Sequence, residues 1–266
     1  MFSLLTLISG LKTLGQYSDL LYTLTMLRLS VRYKQSALGW IWAVLQPLAL
    51  MVSYTAIFSR VAKLPSEGIP YPVFVLTALL PWVFFSSAIS NATIGIVNYS
   101  QLVLKVYFPR EIITLSYIAA ALFDFFIASL MLGLLMLYYR MPISWKALYA
   151  LPILAVLIVF TTAVSLIVSA VQVRVRDVSM AVPLALQVCM FATPVVYPLQ
   201  SVPASIRRIY LLNPVAVLID SFRRVLVHGD SPNEAWLGIA TGITILSFVL
   251  AYVGFKNLEA TMADFI

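Results

Sequence analysis

Charge is scarce in this chain. Only 10% of its 266 residues are Asp, Glu, Lys or Arg, against about a quarter in soluble domains. No soluble fold of this length has an interior large enough for a sequence that is 62% hydrophobic, so the surrounding solvent is lipid. Cysteine and histidine occur once each, as Cys189 and His228. That excludes a disulfide framework and leaves no ligand spacing for a metal. Cys189, inside an apolar run, reads as a packing residue, and His228 as an ordinary interface residue. Also missing are a Gly-x-x-x-x-Gly-Lys-Ser/Thr phosphate loop, an Asp-rich metal motif and a serine-nucleophile elbow. Asp124 is the one acid deep within an apolar stretch, whereas proton-driven carriers show several embedded acids or histidines. Any energy source therefore sits on another polypeptide. The first ~15 residues have no basic start and no small-residue cleavage site, so a removable signal peptide is not expected.

What is present is apolar sequence in long continuous runs, which favours helices over a barrel of ~10-residue alternating strands. The fold expected is all-α and polytopic, with six transmembrane helices at 38–59, 71–97, 112–138, 149–171, 179–198 and 236–255. Each is near the ~20 residues that a bilayer demands. The whole chain reads as one transmembrane domain, without internal repeats. Loop charges are nearly balanced between the two sides. The basic cluster of Lys12, Arg28, Arg32 and Lys34 tips the expectation towards both termini being cytoplasmic.

The stretch 26–60, MLRLSVRYKQSALGWIWAVLQPLALMVSYTAIFSR, organises the rest. Its first part belongs to an amphipathic interface helix over 17–35. There Leu20, Leu24, Leu27 and Val31 form one apolar stripe, and Tyr22, Met26, Leu29 and Tyr33 a second. Arg28, Arg32 and Gln35 share the polar arc between them, so one stripe can enter the membrane interface while the other packs on the bundle. Ser36 and Gly39 offer a break before Trp40 and Trp42, which suit the headgroup level. In the first crossing Trp42, Gln46, Ala49, Ser53, Ala56 and Arg60 share one face beside Pro47. Such a small-and-polar stripe packs helices or lines a path. Phe84, Ser87, Asn91 and Asn98 do the same on the second crossing, either bonding to neighbouring helices or lining a wet cavity. Asp124 needs an interior partner. No basic residue lies at matching depth in another crossing, so a bond to Ser, Tyr or backbone groups is expected. On the fifth crossing Gln187, Phe191 and Pro194 share a face, with Tyr197 near the exit.

Two connections carry the remaining chemistry. The stretch 199–235 reads as two short helices, about 203–212 and 214–227, forming a re-entrant external hairpin. Arg207, Arg208, Asp220, Arg223 and Arg224 make it a lid or gate candidate, with Asp220 able to pair with Arg223 or Arg224 at helical spacing. The segment 98–111, NYSQLVLKVYFPRE, is the best place for a motor protein to dock. A short helix over 101–107, opening at Gln101, would present Lys105, Tyr107 and Phe108 and be stopped by Pro109, with Arg110 just beyond.

RYKQSALGWIWAVLQPL, LLPWVFFSSAISNATIGIVNYSQLVLKVYFPRE and VRVRDVSMAVPLALQVCMFATPVVYPLQSVP followed by LLNPVAVLIDSFRRVLVHG resemble, in order and spacing, the permeases of ABC-2 type exporters. The subgroup most similar is that of polysaccharide exporters, which includes O-antigen, capsule and teichoic-acid permeases. The resemblance implies a homodimer in the bacterial inner membrane with a channel at its interface and two separate ABC ATPase subunits beneath it. ATP and Mg would be bound by those subunits, and no cofactor, metal or nucleic acid by this chain. The cargo implied is a polysaccharide linked to a polyprenyl diphosphate. The 174–177 loop, with Arg174, Arg176 and Asp177, becomes a second contact for the ATPase. Trp42, Phe84, Phe191 and Tyr197 become candidates for stacking on sugar rings. Arg28, Arg32 and Lys34 become candidates for attracting the diphosphate, or for reading anionic membrane lipids. An ABC-2 exporter of a drug or small lipid remains an alternative. So does a membrane enzyme acting on lipid-linked sugars, whose charged cluster would have to be Asp220 with the four hairpin arginines.

Overall fold

The structure, a computed structural model, describes residues 15–34, 36 and 38–262. Gln35, expected on the polar arc of the first helix, and Lys12 lie outside the described residues. Among the described residues all regular elements are helical. In order they are α1 (Ser18–Tyr33), α2 (Ile41–Tyr54), α3 (Tyr71–Thr93), the short α4 (Gly95–Asn98) and α5 (Ser100–Lys105), α6 (Glu111–Tyr138), α7 (Ala150–Arg174), α8 (Val178–Phe191), α9 (Ala204–Tyr210), α10 (Pro214–Arg223) and α11 (Glu234–Glu259). Five paths are long and apolar enough to cross a membrane: Ile41–Val61, Tyr71–Thr93, Glu111–Tyr138, Trp145–Arg174 and Glu234–Glu259.

The stretch expected as the fifth crossing differs. Its helix, α8, has 14 residues, about 21 Å at ~1.5 Å per residue, short of a hydrocarbon layer of ~30 Å. Pro194 and Pro198 account for this, because each lacks an N–H and pushes the residue before it out of the helical region. Residues 192–198 form turns instead. Local chemistry sets other limits. Pro214 opens α10, and Asn213 caps it by accepting the Val215 N–H at 3.1 Å. A wider turn, Arg224–His228, ends at Gly229 with φ of 66°, a conformation that glycine adopts without penalty.

Burial ranks the helices. In the most apolar window of α3, 78% of residues are buried, against 11% along Ile41–Val61 and 22% along α11. So α3 is the central pillar, and the outer faces of α2 and α11 are left to lipid or another chain. Around α3 gather Phe125 and Leu132 of α6, Ile153 and Leu157 of α7, and Ile219 and Phe222 of α10. Tyr71, at the start of α3, donates its hydroxyl to the Val196 carbonyl at 2.6 Å, whereas polar residues further along bond to the helix itself. Thr77 Oγ1 donates to the Val73 carbonyl and Asn91 Nδ2 to the Ser87 carbonyl, both at 2.7 Å, satisfying themselves on their own helix.

The bundle has two distinguishable ends. At the foot, Leu24, Phe108, Val173, Phe255 and Met262 share one cluster. At the head, Leu211 and Val217 pack on Ala240 of α11, and His228 Nε2 lies 3.0 Å from Glu67 Oε2.

Helix α1 corrects the expectation of two separate apolar stripes. It climbs beside α6 from the foot: Leu24 clusters with Ile112 and Ile113, Arg28 bonds Ser116, and Arg32 and Tyr33 reach Asp124. Its buried face takes Leu24 from one expected stripe and Leu29 and Tyr33 from the other. The arginines lie between these residues: Arg28 packs into the bundle, and Arg32, half-exposed, turns its guanidinium to Asp124. The hydroxyl, carboxylate and aromatic groups of α6 give them better partners than a lipid interface does.

Candidate functional site

Midway along the bundle, α1, α2, α3 and α6 enclose a cavity of about 280 Å³. Arg32, Trp42, Gln46, Ser87, Asp124 and Phe125 are among its lining residues. Of the eight residues expected along a substrate path, the structure brings Trp42, Gln46, Phe84 and Ser87 together here. The other four lie elsewhere. Ser53 is exposed further up α2. The Asn91 side chain donates to the Ser87 carbonyl. Phe191 is exposed at the end of α8, and Tyr197 donates to its carbonyl at 2.6 Å while pairing with the Tyr210 hydroxyl.

Asp124 stands midway along the 28-residue α6, on the cavity wall. Its Oδ2 is 2.5 Å from the Arg32 guanidinium, and its Oδ1 accepts the Tyr33 hydroxyl at 2.6 Å. A tyrosine partner matches the expectation from sequence. The arginine was missed because it comes from α1, not from another crossing. Burial, and then the neighbouring carboxylate, push the Tyr33 hydroxyl up to about 12, so it keeps the proton that it donates. Gly39, with φ of 49°, turns the chain so that Trp40 stacks on Tyr33 at 4.9 Å. Trp40 is thus part of this wall rather than a free headgroup anchor. Arg32 remains 47% exposed and keeps donors open to the cavity.

Arg28, one turn earlier, is engaged differently. Its Nε donates to Ser116 Oγ at 2.8 Å, and its guanidinium lies 3.0 Å from the centroid of Tyr117 and 4.8 Å from that of Tyr99. Burial holds its pKa below the usual value, against the pull of the tyrosines. Of the three cations expected to meet a diphosphate, Arg28 is therefore packed into the bundle, while Arg32 faces the cavity and Lys34 is exposed. Gly95 makes this packing possible, since a Cβ there would run into the Tyr117 ring. Gly95→Ala should displace Tyr117 from Arg28 and destabilise the fold by about 1–3 kcal/mol, read as a lower thermal midpoint in detergent. A Gly95→Ala/Tyr117→Leu pair should recover part of it.

At the foot, α5 ends at Lys105, and Val106 is extended with φ of −129° and ψ of 133°. Extended backbone sends successive side chains to opposite sides. Tyr107 is accordingly 96% exposed, and Phe108 is 5% exposed inside the foot cluster. Phe108 is thus buried rather than presented on the surface, which corrects the expectation. Gln101 and Lys105 are exposed, as are Arg174, Arg176 and Asp177. Arg110 turns back from the surface: its N–H donates to Glu259 Oε1 at 2.9 Å and its guanidinium to the Glu259 carbonyl at 2.7 Å.

At the head, Arg223 is 2% exposed, which corrects its assignment as a free gate residue. Its guanidinium donates to the carbonyls of Pro194 at 2.6 Å and Val195 at 2.9 Å, and lies 3.8 Å from the Phe74 ring centroid. Burial brings its pKa down to about 10, opposed by the Asp220 carboxylate. Burial likewise raises Asp220, against Arg223 and Arg224. Asp220 pairs with Arg224 at 3.9 Å. Arg207 caps the turn before α9 by donating to the Gln200 and Val202 carbonyls at 2.8 Å, and Arg208 is exposed. Arg223 and Arg207 are held by backbone carbonyls, while Asp220, Arg223 and Arg224 share a pocket of about 280 Å³ with Glu67, His228 and Asp230. Among the described residues, no group of three His, Cys, Asp or Glu side chains is placed to hold a metal.

Comparison with known proteins bears on the same features. The model of the ABC-2 type transporter family matches residues 19–227, which takes in the cavity, the foot segment and most of the head hairpin. The chain is 30% identical over 252 residues to an O-antigen export system permease protein RfbA of Klebsiella pneumoniae, covering 94% of this chain and 96% of that one. A Myxococcus xanthus protein of the same name is 31% identical over 258 residues, covering 96% of each. The polysialic acid transport protein KpsM of Escherichia coli is 25% identical over 244 residues, covering 87% of this chain and 90% of that one. The relatives are transport permeases, and the chain belongs to the ABC-2 type transporter family.

Proposed function

We propose that this chain is the membrane-spanning subunit of an ATP-driven exporter that moves a polyprenyl-diphosphate-linked polysaccharide across the bacterial inner membrane. Two copies and two separate ATPase subunits, which bind ATP and Mg, make the working unit. The observation that carries this reading is the half-built cavity at mid-depth, with aromatic, amide and hydroxyl groups and one ion pair on its wall. The sparse burial of α2 beside it supports a second copy completing the path. The permeases of O-antigen and polysialic acid support a polysaccharide as cargo. Arg32, with its exposed donors, and Lys34 suit a diphosphate passing that wall.

Six crossings fit this geometry. Arg174, ending α7, donates to Thr261 Oγ1 at 2.5 Å, so α7 and α11 finish together at the foot. Since α11 starts at the head beside Leu211, the chain between Arg174 and Glu234 has to return there. In this reading α8 and the turns at 192–198 make that sixth pass, and the α9–α10 hairpin folds back on the outer side. The first and last described residues then lie with the foot, on the cytoplasmic side.

The foot surface of Gln101, Lys105, Tyr107, Arg176 and Asp177 is where the ATPase docks. Tyr107→Ala should leave the membrane subunit folded and sever export from ATP hydrolysis. Phe108→Ala should instead lower stability by about 3–5 kcal/mol, read in thermal unfolding. Equal stabilities would contradict the assignment of the two rings to opposite sides. The function itself is tested in proteoliposomes containing the chain and its ATPase. Lipid-linked polysaccharide should stimulate hydrolysis and be exported. Stimulation by a drug or short lipid alone would replace this reading with the small-molecule exporter.

A further inference from the structure

The two foot loops are joined by something beyond themselves. Residues 256–262, the last described turn of the chain, lie against both. On one side Glu259 accepts the Arg110 N–H through Oε1 and the Arg110 guanidinium through its carbonyl. Lys256 Nζ lies 2.8 Å from Glu111 Oε1 and donates to Glu259 Oε2 at 2.8 Å, tying the buried start of α6 to the same turn. On the other side Thr261 Oγ1 accepts from Arg174 at 2.5 Å. Met262 closes the space between them, buried with Phe108 and Val173.

We infer that this turn is a clasp that makes the 98–111 segment and the 174–177 loop move as one body, with Glu259 and Thr261 as positioning residues for transport. Neither residue faces the cavity, and Glu259 is largely covered by its partners. The inference rests on the reading that the foot is where the ATPase docks. Its physical content is simple. A push on Tyr107 or Lys105 reaches α6 directly, and reaches α7 and α11 through the packing of Phe108 with Val173 and Phe255 and through the directional polar ties Arg110–Glu259, Lys256–Glu111 and Thr261–Arg174. Charge-assisted bonds of this kind bear more than neutral ones, and a network shared between three helix ends resists their separation.

The test uses the complete complex in proteoliposomes, with Glu259→Ala and Thr261→Val made separately. Both variants should keep the ATPase bound and hydrolysing, while the amount of polysaccharide exported per ATP falls about tenfold for Glu259→Ala and less for Thr261→Val. Glu259→Gln, which keeps an acceptor for the Arg110 N–H, should lie between. If Glu259→Ala fails to assemble, Thr261→Val, which removes a single hydroxyl, carries the test. An unchanged export-to-ATP ratio in assembled variants overturns the clasp. A cross-linker on a cysteine at Tyr107 of the otherwise unaltered complex should capture the ATPase. Failure of that capture overturns the docking reading and the clasp together, whereas capture with an unchanged ratio overturns the clasp alone.

Discussion

Replacing Asp124 with leucine should destabilise the protein by about 1–3 kcal/mol, because it leaves the half-exposed Arg32 guanidinium without its partner. It also removes the acceptor of the Tyr33 hydroxyl and frees the upper end of α1 from α6. Removing both charges is a different experiment. An Arg32→Met/Asp124→Leu pair should recover part of the thermal midpoint, since apolar residues of similar volume replace a partly covered ion pair at little cost. On the function proposed above, export should not recover, because the cavity wall then offers no arginine to a diphosphate-linked cargo. Wild-type stability of Asp124→Leu would mean that the 2.5 Å pair does not hold α1 in place. Recovered export in the double variant would remove the charges from the mechanism and leave them a structural role.

The second large effect is expected at Arg223. Its fork serves two carbonyls at once in the segment where prolines deny the backbone its own helix. Arg223→Met removes those bonds and the contact with Phe74, leaving buried carbonyls unpaired. The cost should be about 3–5 kcal/mol. Arg223→Lys should recover little of it, since an ammonium lacks the planar fork. The neighbouring Arg224, 40% exposed and 3.9 Å from Asp220, should cost no more than about 1 kcal/mol as Arg224→Ala. Thermal unfolding of the three variants in one detergent separates the buried arginine from the exposed one. Similar losses for Arg223→Met and Arg224→Ala would contradict the inward placement.

Much of this arrangement was legible in the sequence. Long apolar runs announced the crossings, but the fifth was expected to run to residue 198, and its helix stops at Phe191 ahead of Pro194 and Pro198. Helical spacing placed Trp42 and Gln46 on one face of α2, and Phe84 and Ser87 on one arc of α3; the cavity joins those two faces. What periodicity could not supply was pairing between elements distant in sequence. Arg32 and Asp124 are separated by 92 positions, and nothing local marks them as partners. Likewise Arg223 and Arg224 look alike as neighbours, and only the carbonyls of another segment decide which one turns inward. Phe108 was misassigned because a helix was extended to Tyr107. An end at Lys105 puts one ring out and the next one in.

On the proposed function, the polymer passes along the wall formed by Trp42, Gln46, Ser87 and Asp124. A photoreactive side chain at Ser87, in proteoliposomes holding the chain, its ATPase and labelled lipid-linked polysaccharide, measures this directly. The account predicts capture of the polysaccharide from position 87 when ATP is present, with little capture from the same group at Cys189, which lines the separate apolar groove between α3, α7 and α8. Capture from position 189 and none from position 87 would contradict it.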